Sequence, residues 1–131
     1  MKVKNLRLAI LIVMTGAYCT ASAQDKNLVV RIAKLKIDSI QLESYKAALK
    51  EHAEAAVKVE PGVITLYAVY EKNNPTRVTV FEIYANTDAY EFHLKTPHFL
   101  KYKTGTKDMV KSLELVETVP IALETKPNIP K

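Results

Sequence analysis

Two stretches near the middle of the chain, residues 63–70 (VITLYAVY) and 77–84 (RVTVFEIY), are dense in β-branched and aromatic residues. The polar segment Glu71-Lys72-Asn73-Asn74-Pro75-Thr76 separates them, so they predict an antiparallel hairpin. Side chains alternate along a strand, which places Ile64, Leu66, Ala68 and Tyr70 on one face and Val63, Thr65, Tyr67 and Val69 on the other. On the next strand Val78, Val80 and Tyr84 oppose Phe81 and Ile83. Both faces are largely apolar, and a sheet of that kind needs cover on both sides, because a monomer rarely leaves a large apolar patch in water.

The flanking segments supply one layer of cover. Residues 28–37 (LVVRIAKLKI) read as a strand, and Asp38 or Ser39 can accept from the first free amides of a following helix. From Gln41 to Val59, Leu42, Tyr45, Leu49, Ala53 and Ala56 recur at intervals of three and four, predicting an amphipathic helix that Glu60-Pro61-Gly62 ends. After the hairpin, Asn86, Thr87 and Asp88 mark a second helix start. Pro97 interrupts that helix, a further piece runs over about 98–110 with Gly105 as a weak point, and residues 111–119 (KSLELVETV) alternate as a last strand. The order β-α-β-β-α-β predicts an α+β, ferredoxin-like fold: a four-stranded antiparallel sheet with its helices on one face. Two helices cover one face only. A second copy of the chain, sheet against sheet, is the most economical cover for the other, so a homodimer is expected.

The ends of the chain are of a different character. Lys2, Lys4 and Arg7, the apolar run from Leu8 to Met14, and Ala21-Ser22-Ala23 before Gln24 have the three parts of a secretory signal peptide, residues 1–23. The apolar run ends near Tyr18, short of the roughly 20 residues that cross a bilayer, so export with cleavage is expected rather than anchoring, and no membrane association afterwards. Tyr18 before Cys19 does not fit a lipidation signal, and Cys19 leaves with the leader. The leader holds three of the 19 basic residues and none of the 14 acidic ones, so the mature chain carries 16 against 14, a net of +2 without a basic run. Nucleic-acid binding has no support in that balance. The mature chain has no cysteine, hence no disulfide, thiol nucleophile or zinc–thiolate site. Residues 24–119 form the domain, and 120–131 a proline-rich, extended tail.

Between the sheet and its helices, Tyr45, Leu49, His52, Tyr90, Phe92 and His93 are expected to border a small apolar cavity with a few polar tips, a lining suited to a flat aromatic molecule. No glycine-rich phosphate loop, Gly-x-Ser-x-Gly elbow or His-Glu-x-x-His helix occurs, and His93 and His98 lie five apart across a proline. No metal site follows from that spacing, and nucleotide cofactors in their usual cradle are excluded.

Glu82-Ile83-Tyr84-Ala85-Asn86, then Ala89, His93, Thr96-Pro97-His98-Phe99 and Tyr102, resemble the signature stretch of the antibiotic biosynthesis monooxygenase domain family. Tyr45, His52 and Glu60-Pro61-Gly62 match it as well. The resemblance covers about residues 28–119. It implies a dimeric α+β barrel and oxidation of a quinol or other small phenolic compound by O₂, with no flavin, metal or other cofactor. Such chemistry needs a general base, hydrogen bonds to the phenolate and a water-poor pocket. His93 and His98 are the candidate catalytic bases. Tyr45, His52, Tyr90, Phe92 and Phe99 are the candidate substrate-binding residues. The family also contains isomerases and haem-degrading enzymes. The lack of Trp, and Lys103 where a haem ligand is sought, speak against haem degradation. A non-catalytic binder of a small hydrophobic molecule, or an isomerase, uses the same scaffold. Each histidine also has a plainer role open to it, His98 above all, whose ring can brace the bend at Pro97. Glu82, set inside a strand among apolar neighbours, is expected to pair with a cation, a backbone amide or the dimer mate.

Overall fold

The computed structural model describes residues 27–127; the expected leader with Cys19 and the last four residues of the tail lie outside that range. The described elements run β1 (Val29–Ile37), α1 (Leu42–Val59), β2 (Val63–Glu71), β3 (Asn74–Tyr84), α2 (Thr87–His93), α3 (Pro97–Thr106) and β4 (Val110–Thr118). A 3₁₀ turn precedes α1 and another follows α3. The four strands form one antiparallel sheet in the order β2-β3-β1-β4, the ferredoxin-like α+β arrangement that the element order predicts.

Local chemistry explains most boundaries. Asp38 accepts from the Ile40 amide at 3.0 Å and opens the turn into α1. The Asn86 side chain accepts from the Ala89 amide at 2.8 Å and starts α2. Thr96 caps α3, with Pro97 in the first turn, where its missing N–H costs nothing. The hairpin is tighter than the sequence suggests, because β3 begins at Asn74. Pro75 is tolerated there since it lies beyond Arg77, the last β3 residue paired with β1.

Ala33, Leu35 and Ile37 of β1, Val63 and Leu66 of β2, and Val78, Val80 and Tyr84 of β3 pack against Tyr45, Leu49 and Ala56 of α1. Burying each large aliphatic side chain stabilises the fold by roughly 1.5–3 kcal/mol. The expected division of β2 between the two faces fails at its first residues. Val63 pairs with Tyr84 while Thr65 pairs with Ile83, so Ile64 is an extra residue in a bulge. Simple alternation therefore fails at the start of β2: Val63 joins Leu66 on the helix face, and Ile64 is exposed.

The opposite face carries Ile32, Thr65, Tyr67, Val69, Phe81, Ile83 and Val116, with Tyr67 and Val69 exposed. At the β4 edge of the helix face, Leu113 and Leu115 are also exposed. No helix among the described residues is long and apolar enough to cross a membrane.

Candidate functional site

The site grows from three chain bends that meet. The first is Glu60-Pro61-Gly62, at the end of α1. A Cβ on Gly62 would stand 2.4 Å from the Cβ of Ala89, so only glycine lets this turn lie directly on α2. The contact is locked by the Ala85 amide donating to the Gly62 carbonyl at 2.9 Å. The second bend is the end of α2 at His93, and the third is the Thr96-Pro97-His98 start of α3.

Glu60 is thereby pressed into the interior beside two histidines. Its side chain is 3% exposed and that of His93 1%. Glu60 Oε1 accepts from His93 Nδ1 at 2.8 Å and from His98 Nε2. Thr96 donates its hydroxyl proton to the His93 carbonyl at 2.8 Å, so its oxygen is left to accept from His98 Nε2 at 3.1 Å. This proton inventory assigns the tautomers. His98 carries its proton on Nε2, His93 on Nδ1, and His93 Nε2 is left with a bare lone pair. That atom is buried and has no partner among the described residues.

His93 Nε2 belongs to a ring that lines a cavity of about 250 Å³ between α1, α2, α3 and the sheet. His52 lines it too, stacked on Tyr102 with ring centroids 4.8 Å apart and planes 9° from parallel. The Tyr102 hydroxyl is held by that of Tyr45 at 2.7 Å. Tyr84, Tyr90, Phe99 and several aliphatic side chains make most of the remaining wall apolar, with Arg31, Glu82 and Lys103 as its charged members. Burial lowers the pKa of His93 below the ordinary histidine value, although Glu60 pulls it upward. Burial, with His93 and His98 nearby, pushes His52 down to about 4. Both rings are therefore neutral near pH 7. Burial moves the hydroxyls of Tyr45, Tyr84 and Tyr102 the other way, so they remain protonated donors.

Of the residues expected to border the cavity or to bind or act on a substrate, Leu49, His52, Tyr90, His93 and Phe99 line it. His98 does not; it braces Glu60. Tyr45 lines a neighbouring groove between α1 and β2 and touches the site through Tyr102. Phe92 lies apart from the cavity and is 62% exposed, because α2 turns His93 inward and the preceding residue outward. Glu60, which the sequence reading uses as part of a helix stop and of the family resemblance, is a residue it missed as a member of the site. A usable signal was present: an acidic residue at a helix C-terminus opposes the macrodipole and calls for a partner. Glu60, His93 and His98 are also metal-ligating types, with ligand atoms within 4.8 Å of one another. Ligands held at roughly 2.1 Å around an ion in a tetrahedron stand about 3.4 Å apart. The 2.8 Å separation of His93 from Glu60 is instead that of a hydrogen bond.

Residues 28–105 match the family model described as antibiotic biosynthesis monooxygenase. The chain belongs to that family. The structure of a family protein from Bacteroides thetaiotaomicron is 49% identical, with a TM-score of 0.76 over 78% of this chain and 99% of that one. A monooxygenase-type protein from Lactobacillus acidophilus is 34% identical, with a TM-score of 0.69, over 75% of this chain and 46% of its own. A family protein from Nitrosomonas europaea, 21% identical with a TM-score of 0.68, shares the fold. No curated protein matches the chain. Membership in the antibiotic biosynthesis monooxygenase family fits a cavity of this size and lining, which takes a small molecule.

Proposed function

We propose that this protein is a cofactor-independent monooxygenase that oxidises a quinol or related small phenolic compound with O₂. The observation that carries the reading is His93: one ring nitrogen is committed to Glu60, and the other, unpartnered, belongs to a ring on the wall of an apolar cavity. In that setting Nε2 takes the phenolic proton as general base, and Glu60 stabilises the resulting imidazolium. The phenolate is a far better electron donor than the phenol, and O₂ accepts its electrons. For a hydroquinone the balance closes as hydroquinone plus O₂ giving hydroxyquinone plus water, one oxygen atom entering the ring. The apolar wall keeps competing water from the charged intermediates. In this reading His52 and the Tyr102 hydroxyl, both on the cavity wall, hold the developing oxyanion.

Two further parts of the reading concern the assembly. A second copy covers the exposed face bearing Tyr67 and Val69, giving a dimeric barrel. The leader at residues 1–23 directs the domain to an exported, periplasmic or extracellular location. The test is oxygen uptake by the mature protein with a panel of hydroquinones, in wild type and His93→Gln. Uptake well above the spontaneous rate that falls at least 100-fold in His93→Gln is expected. Tight binding of the same compounds without uptake would make the protein a carrier of small hydrophobic molecules instead.

A further inference from the structure

The same cavity holds a cation that the oxidation reading does not use. Arg31, on β1, has a side chain only 12% exposed and lines the cavity. Its neighbours across the strands are carboxylates, Glu82 on β3 and Glu117 on β4. Neither forms a hydrogen bond with it among the described residues. Glu117 stands 3.9 Å away, is 85% exposed, and is beyond hydrogen-bond reach. Glu82 forms no hydrogen bond with Arg31 among the described residues, and its burial keeps the carboxyl pKa raised in spite of the guanidinium. What holds Arg31 in place is the ring of Tyr90, with the guanidinium carbon 4.5 Å from its centroid. The guanidinium makes no hydrogen bond with another side chain among the described residues, which leaves its fork of donors open to a planar acceptor in the cavity. Lys103, also on the cavity wall, sits 5.8 Å from the Phe99 centroid and adds a second positive charge.

The placement of these charges relative to the base is informative. Along one wall the rings of His93, Tyr84 and Tyr90 follow at 5.3 and 5.2 Å, and Arg31 lies beyond Tyr90. The proton acceptor and the anion receptor are thus separated by two aromatic side chains. The cavity volume, about 250 Å³, is below the roughly 300–1,000 Å³ typical of drug-sized ligands, so it fits one or two fused rings.

We propose that the ligand of this cavity is a phenolic acid: an aromatic ring or pair of rings whose hydroxyl meets His93 and whose carboxylate is received by the Arg31 fork, with Lys103 drawing it in. The proposal deepens the reading above and rests on it only for the identity of the phenol-binding end. A planar carboxylate offers Arg31 the two parallel acceptors that its protein neighbours withhold.

Calorimetric binding separates the two ideas, because it needs no turnover. The probes are two pairs that differ only by a carboxylate opposite the hydroxyl, phenol with 4-hydroxybenzoate and 2-naphthol with 6-hydroxy-2-naphthoate. In wild type the acid of at least one pair is expected to bind tenfold or more tightly than its neutral partner, with a preference that shrinks as salt is raised. In Arg31→Gln the ratio is expected to fall to about one, and in Arg31→Lys to an intermediate value. Equal or tighter binding of the neutral phenols, binding of no probe, or a preference that survives Arg31→Gln would overturn the proposal. The wild-type preference and its salt dependence stand as a test even if the variant does not fold. Acid-selective binding without oxygen uptake from any hydroquinone would leave the phenolic-acid site intact and remove the monooxygenase reading. Uptake with no acid preference would do the reverse.

Discussion

At the scale of single residues, the site turns on how one carboxyl group divides labour between two histidines. Glu60 Oε1 accepts from both rings, but only His93 has its second nitrogen left free on a ring that lines the cavity. On the proposed reading Glu60 is a positioning residue, and its replacement has a signature that a structural role lacks. Glu60 pulls the His93 pKa up against burial, so in Glu60→Gln that pKa falls further. The acid limb of the pH–rate profile is expected below pH 6.5 in wild type, since His93 must be neutral to act and burial lowers it. In Glu60→Gln the limb should move to still lower pH, while kcat drops about 10- to 100-fold from loss of ring orientation. An unmoved limb would show that Glu60 does not govern His93.

His52 gives a second prediction at this scale, in stability. Its folded pKa is about 4, against an ordinary 6.5, so below pH 6.5 the unfolded chain binds a proton that the folded chain refuses. Stability contributed by neutral His52 is complete above that pH and is lost progressively as pH falls toward 4. The Tm should decline across this window, and His52→Phe, which keeps a ring against Tyr102 but cannot titrate, should decline less. Equal slopes would contradict the assignment.

At the scale of elements, the geometry depends on how tightly the turn after α1 sits on α2. Adding a methyl group at Gly62 drives it into Ala89, so Gly62→Ala is expected to cost about 1–3 kcal/mol and to displace Glu60 from His93. Ala89→Gly in the same chain opens the space again and should restore part of the lost turnover, which a thermal melt and an uptake assay will show. Failure of the second change to rescue would mean that Gly62 acts in some other way.

The elements themselves were legible because each had a local cause. The three- and four-residue spacing of α1, the Asn86 cap, and Pro97 in the first turn of α3 are physics confined to a few neighbouring residues. The bulge at Ile64 was not legible, since period-2 alternation has no term for an extra residue, and the register that reveals it is a property of two strands together. The site was legible in part for a similar reason. His93, His52 and Phe99 stand out by type and by resemblance, whereas the orientation of Phe92 follows from the exact phase of a seven-residue helix. The role of Glu60 comes from a contact between residues 33 apart in the chain.

At the scale of the whole molecule, the sheet leaves Tyr67 and Val69 uncovered on the face opposite the helices, and Ile32, Phe81 and Val116 beside them partly so. Association through that face predicts that Tyr67→Glu with Val69→Lys weakens the dimer by at least tenfold per site, from about 1.5–3 kcal/mol of lost apolar burial each. Sedimentation of wild type and double variant checks it; a wild-type monomer at micromolar concentration would end the dimer proposal. The proposed chemistry depends above all on a single lone pair, which histidine-selective ¹⁵N NMR of the domain, residues 24–131, observes directly. At pH 7 His93 should appear as the neutral tautomer with its proton on Nδ1 and Nε2 bare, and Nε2 should respond when 4-hydroxybenzoate or 6-hydroxy-2-naphthoate is added. A proton found on Nε2, or an imidazolium at that pH, would contradict the assignment of His93 as the base.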